Sequence, residues 1–155
     1  MEQKTPKDQQ NNPFLVHIYS NIAWVQQSLD NYKEAQVSLE EGILVSMQAK
    51  DYWGAERAYI TLSNVHKANG TLEKYKQDSQ TSLENSLKNN DQYEELSAQF
   101  ALGSINRVQG NHKEALKHYA ACYDLQQGTV DYEADRVEQH EVVFSNKKMG
   151  TGNIQ

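Results

Sequence analysis

The sequence predicts an all-α fold, a solenoid of three helix pairs followed by one covering helix. Three observations carry that expectation. Residues that start helices recur at a step of 40: Asn11, Asp51, Asp91 and Asp131 form one series, and Asn31, Thr71 and Asn111 a second, offset from the first by 20. Glycine stands immediately before two of these starts, at Gly70 and Gly110. Between start and stop the apolar residues follow a helical period, as in Ile18, Ile22, Val25, Leu29 and in Leu39, Ile43, Met47.

Each element follows from local chemistry. All seven starting residues have side chains able to accept a hydrogen bond from the free N–H groups of a first helical turn. Asn31, Asp91 and Asn111 each have a glutamate three residues on (Glu34, Glu94, Glu114), the pattern of a capping box. Pro13 follows Asn12 where a missing N–H costs nothing, and no proline occurs after it. Gly70 and Gly110 suit the left-handed residue that ends a helix, and Asp30 holds the equivalent place in the first repeat. Helices are therefore expected to start near residues 12, 32, 52, 72, 92, 112 and 132. The repeats run over about 12–50, 52–90 and 92–130. Residues 131–145 form a last helix whose Val137, Val143 and Phe144 cover the open face of the third pair. Residues 1–11 and 146–155 read as disordered tails.

Composition restricts the function classes. Hydrophobic residues make up 37% of the 155, while Gln and Asn number 16 and 13. Such a chain suits a thin layer of amphipathic helices better than a thick core. Fifteen Lys and Arg against 21 Asp and Glu leave a net charge of −6, which repels nucleic acid and anionic membrane. A single cysteine excludes a disulfide framework within the chain and suits a reducing compartment. No apolar run approaches the roughly 20 residues of a membrane span, and the start, MEQKTPKDQQNN, is not a signal peptide. A cytoplasmic location is expected.

The segments Ile22-Ala23…Asp30-Asn31-Tyr32…Ala35, Leu62-Ser63…Gly70-Thr71-Leu72…Tyr75 and Leu102-Gly103…Gly110-Asn111-His112…Ala115 resemble tetratricopeptide repeats. In that family a large-small pair on the first helix packs against a small residue on the second, and a glycine and an aromatic mark the turn. The second repeat departs from the pattern, because Tyr75 replaces the small residue and Ser79 and Ser82 replace apolar ones. A period of 40 exceeds the family's usual 34. It is similar to the variant in spindle-orientation adaptors, bacterial Rap-type regulators and sensor regions of some bacterial kinases. The resemblance implies a right-handed superhelical array, and it leaves function open, since the fold serves many partners.

A search for chemistry points away from an enzyme. His112 and His118 are six apart, not a helical i, i+4 pair, His66 sits in a column where the resembled family prefers a large packing residue, and His17 and His140 lack a cysteine or carboxylate arranged as a second ligand, so neither metal nor cofactor is expected. Cys122 shares a column with Gly42 and Ser82 and reads as small buried filler. Glu40-Glu41 and Glu94-Glu95 are adjacent and point about 100° apart, as solvated faces do. No glycine-rich phosphate loop, nucleophile elbow or His-Glu-x-x-His occurs. Trp53, in a first turn, is placed to cover the seam between repeats.

By the resemblance, the first helix of each pair lines a concave groove. Its columns hold His17, Ser20, Asn21, Trp24, Gln27 and Ser28, then Arg57, Ile60, Thr61, Asn64, Lys67 and Ala68, then Ser97, Phe100, Ala101, Ser104, Arg107 and Val108. Three of these are basic and none acidic, which suits an acidic peptide. Asn21, Trp24, Arg57, Asn64, Lys67 and Arg107 are the expected binding residues, the amides gripping peptide backbone and Trp24 anchoring an apolar side chain. The basic clamp by which chaperone-binding members hold a C-terminal carboxylate is absent, its columns holding Ser20, Trp24, Thr61, Ser97 and Ala101. Two functions of different class stay open. One is a scaffold holding a protein or peptide in the groove, favoured by a small chain without an effector segment. The other is a sensor module of a kinase or transcription regulator. Self-association is a third route, because Phe14, Leu15 and Trp24 begin the stack with no helix before them.

Overall fold

The computed structural model describes Asn12 and residues 14–127. The tails and the helix expected at 131–145 lie outside the described residues. Six helices follow one another: α1 Leu15–Ser28, α2 Tyr32–Gln48, α3 Tyr52–Ala68, α4 Leu72–Asn89, α5 Gln92–Val108 and α6 His112–Gln127. There is no strand among the described residues. The fold is an all-α helical repeat, and five of the six helices start on the residue expected from the 20-residue step. The first starts three residues later than expected, at Leu15.

The turns share one construction. Asp30, Lys50, Gly70, Asn90 and Gly110 all have positive φ, between 53° and 80°, and they too recur every 20 residues. At each turn the next residue sends its N–H back to the carbonyl five before it: Asn31 to Gln26, Asp51 to Ser46, Thr71 to His66, Asp91 to Ser86 and Asn111 to Asn106, at 2.8–2.9 Å. This is the Schellman closure of a helix end, with the left-handed residue at its centre. The same residue opens the next helix, so each helix stops and restarts within three residues.

Side-chain capping is narrower than the sequence pattern implies. Asp51 accepts from the Gly54 N–H and Asp91 from the Glu94 N–H, each at 3.0 Å. Asn12 accepts from the Phe14 N–H at 3.0 Å just ahead of α1, whose N-cap residue Phe14 makes no side-chain cap bond; the expected Asn11 lies outside the described residues. Asn31 makes no such bond; its ψ of 62° is smaller than the 76° of Asp51 and the 96° of Asp91. At Asn111 the side-chain amide donates to Gln109 Oε1 instead.

The chain divides into two compact units, Met1–Lys76 and Gln77–Gln155, with the boundary inside α4. In the first unit α1 packs on α2, α2 on α3, and α1 also meets α3. The core holds Val16, Ala23, Ala35, Leu39, Ile43, Met47, Ala55, Ala58, Leu62 and Val65. Gly42 lets α1 approach, since a Cβ there would stand 3.0 Å from Tyr19 Cβ. Ser38 donates to Gln26 at 2.8 Å along the same antiparallel seam. In the second unit α5 packs on α6, where a Cβ at Gly103 would stand 2.9 Å from the Tyr119 ring. The large-small pair of the repeat thus has a physical cause: Leu102 fills the core and Gly103 admits the neighbouring tyrosine.

Candidate functional site

In the first unit α1 and α3 are in contact. Asn21 and Trp24 on α1, and Arg57, Asn64 and Lys67 on α3, are all exposed. α1 reaches α3 through Val16, whose methyl would stand 3.0 Å from a Cβ at Gly54. Beside that contact the His17 ring meets Trp53 edge-on, with centroids 6.2 Å apart. Trp53 therefore bridges the seam between first helices, as its first-turn position suggests, yet it stays 61% exposed. The Arg57 guanidinium carbon lies 4.8 Å from the centre of the Trp53 ring. Four residues separate the two on α3, so the helix itself brings them onto one face. That spacing is the signal by which Trp53 belongs with the site.

The electrostatics here are simple. α1 contains no Asp, Glu, Lys or Arg. Among the described residues Arg57 and Lys67 form no ion pair, and the acids of the neighbouring second helix do not neutralise them. Arg57 is instead held by the π-face of Trp53, which leaves the edge of its guanidinium to donate. Asn64 donates one amide hydrogen to the Ile60 carbonyl at 3.1 Å, on an exposed side chain. Trp53 and Arg57 thus lie together beside His17, while Asn21, Trp24, Asn64 and Lys67 are exposed on the same two helices.

The second unit is different. Arg107 is exposed in the last turn of α5, but Phe100, Ala101 and Ser104, expected to line a groove, are buried. Ser104 Oγ is 3.3 Å from the Tyr119 hydroxyl, and α5 is buried almost continuously from Glu95 to Asn106. Those three columns are core here. A polar recess of about 220 Å³ opens in the same unit between Ser82, Asn85, Ser86, Asn89, Asp91 and Glu94. Its Asp91 already caps Glu94.

Cys122 is buried, in keeping with a filler role, whereas Ser82 of the same column is exposed. His118 Nδ1 and Gln99 Oε1 are 2.7 Å apart across α5 and α6. His66 sits 2.8 Å from Thr71 Oγ1 and stacks on Tyr75. Among the described residues no group of three or more His, Cys, Asp or Glu is placed to hold a metal ion. No described helix is long and apolar enough to cross a membrane.

The family model of the tetratricopeptide repeat matches residues 16–46, which are the α1–α2 pair. Residues 16–46 thus carry a tetratricopeptide repeat. It is 52% identical over 59 residues to an uncharacterized protein of Rickettsia conorii, a match covering 37% of this chain and 36% of that protein. The chain thus spans about a third of the length of that curated relative. No solved structure matches it. Tetratricopeptide repeats are commonly protein–protein interaction modules.

Proposed function

We propose that this protein is an interaction scaffold that binds an acidic peptide segment on a face formed by α1 and α3. One observation carries the reading: Trp24 and Trp53 are 67% and 61% exposed, and Arg57 lies on the second of them without an acidic partner. Exposed tryptophan beside arginine is the composition of interface hot spots. Trp24 offers a flat apolar surface to a ligand side chain. Arg57, pre-oriented by Trp53, takes a carboxylate through two parallel N–H donors, and Lys67 attracts a second. Asn21 and Asn64 supply amides for the peptide backbone. Arg107, exposed on the second unit, adds positive charge to an otherwise acidic chain.

A peptide-library screen against the full chain tests this. Acidic peptides carrying an apolar anchor are expected to be selected, and Arg57→Glu is expected to weaken their binding at least tenfold, about 1.4 kcal/mol. Selection of basic peptides, or unchanged affinity in Arg57→Glu and Trp24→Ala, would refute it.

A further inference from the structure

The turn between α3 and α4 carries a chemistry that the other turns lack. Asn69-Gly70 is the one asparagine–glycine pair in the sequence. Asn69 is the C-cap of α3, with φ −82° and ψ −3°, and Gly70 follows in the left-handed region at φ 73°. Both residues are exposed, and a Cβ built on Gly70 would meet nothing within 4 Å. Twenty residues on, Asn89 holds the same place and is also exposed, but the left-handed residue after it is Asn90, which has a side chain.

We propose that Asn69 is a self-modification site, deamidated through attack by the backbone nitrogen of Gly70. Hydroxide takes the Gly70 amide proton, and the nitrogen bonds to Asn69 Cγ. The bond from Cγ to the side-chain nitrogen breaks, ammonia leaves, and a five-membered succinimide remains. Water then opens the ring at one of its two carbonyls, giving aspartate or isoaspartate, with no change of oxidation state. A side chain on the attacking residue would crowd this approach, and Gly70 has none.

The fold makes the reaction conditional. With ψ of Asn69 near zero the Gly70 nitrogen lies away from Asn69 Cγ, so ring closure requires rotation about that bond. Two hydrogen bonds oppose it: the Gly70 N–H donates to the Lys67 carbonyl at 3.2 Å, and the Thr71 N–H to the His66 carbonyl at 2.9 Å. The His66 ring, 2.8 Å from Thr71 Oγ1 and stacked on Tyr75, ties the same turn to the start of α4. Deamidation therefore proceeds through local opening of the turn, and the His66–Tyr75 stack sets how often the turn opens. Both products loosen it further. Aspartate puts negative charge at the C-terminal end of α3, against the helix dipole. Isoaspartate routes the main chain through Cβ, adding one atom between His66 and Thr71, and the Schellman closure loses its register.

Peptide mass spectrometry of the full chain, aged in native buffer, tests the assignment. A gain of one mass unit is expected at Asn69 well before any gain at Asn89, with isoaspartate detected by enzymatic methylation of its free carboxylate. Unfolding in urea is expected to speed the gain at Asn69 by at least about tenfold. In native buffer Tyr75→Ala is expected to speed it, and Tyr75→Phe, which keeps the ring, to leave it unchanged. Thr71→Val, which removes the hydroxyl beside His66 and leaves the stack in place, is a second route to a faster gain if Tyr75→Ala does not fold. No gain at Asn69, an equal gain at Asn89, or a rate indifferent to urea and to loss of the stack would each overturn the proposal.

Discussion

The Tyr75 ring lies nearly flat against the His66 ring, with centroids 4.2 Å apart and planes inclined by 16°. This contact joins the first turn of α4 to the last turns of α3. His66 Nδ1 lies 2.8 Å from Thr71 Oγ1 and 3.5 Å from Gln36 Nε2. Tyr75 occupies the column of Ala35 and Ala115, where the repeat normally places a small residue. The large side chain is accommodated because its neighbour is a flat ring that stacks, where an aliphatic side chain would collide.

Tyr75→Ala is therefore expected to destabilise the protein by about 3 kcal/mol, a large value for a column that tolerates alanine elsewhere. Thermal unfolding of Tyr75→Ala beside Ala115→Gly measures the contrast. Tyr75 also predicts an alkaline limb. Burial pushes its phenol well above the ordinary range, with Tyr59 and Glu40 adding repulsion. The unfolded phenol ionises first as pH passes about 10, so this group's contribution to stability is complete below pH 10 and is lost as pH rises towards the folded value. Tyr75→Phe is expected to flatten that loss, and an unchanged alkaline limb would contradict it.

The turns give a prediction of opposite sign. Lys50 adopts φ 55° at the position where two other turns use glycine. A left-handed lysine costs about 1–2 kcal/mol, part of which glycine returns as unfolded-chain entropy. Lys50→Gly is expected to raise stability by about 0.5–1 kcal/mol. Gly70→Ala, at φ 73° with no atom in the way, is expected to lower it by about 1 kcal/mol through backbone strain alone. Urea denaturation of both variants should move the midpoints apart.

These turns also show how far the sequence could be read. Gly70, Gly110 and Asp30 announce their conformation through residue type. Lys50 does not, and it is left-handed because its place in the 20-residue frame demands it. The helix starts were legible for the same reason, since backbone closure repeats whether or not the side chain caps. Asn31 starts a helix on schedule without a cap bond. The candidate face was legible where exposure follows from one helix's own periodicity, as at Asn21, Trp24 and Arg57. It was not legible at Phe100, Ala101 and Ser104, because their burial is set by what packs on α5 and not by the pattern within α5.

The two exposed indoles make peptide binding observable. An acidic ligand on the α1–α3 face is expected to change tryptophan emission, and the change should be smaller in both Trp24→Phe and Trp53→Phe. Raising salt from about 50 mM to 500 mM is expected to weaken binding several-fold, because the carboxylate contacts at Arg57 and Lys67 are solvent-exposed and screened. Trp53→Ala is expected to weaken it as well without removing any charge, since Arg57 loses the ring that orients it. Salt-independent affinity would show that the basic residues take no part.

Helix α4 is expected to be the least protected of the described helices beyond its first turn. Leu72 is buried and Tyr75 stacks on His66, but the next inward-facing positions are Ser79 and Ser86, and Leu87 is exposed. Ser86 turns its hydroxyl onto the Leu83 carbonyl at 2.7 Å, which satisfies the group and buries little apolar area. Each leucine or isoleucine missing from such a face forgoes about 1.5–3 kcal/mol of burial. Local opening is correspondingly cheaper, and a difference of about 1.4 kcal/mol already corresponds to tenfold faster exchange. Amide hydrogen exchange should therefore be at least tenfold faster across 79–89 than across 115–124 of α6, where Ala115, Ala120, Ala121 and Cys122 are all buried. Within α4, protection should fall after Tyr75. Uniform protection along α4, or slower exchange there than in α6, would show that something other than apolar burial holds the helix.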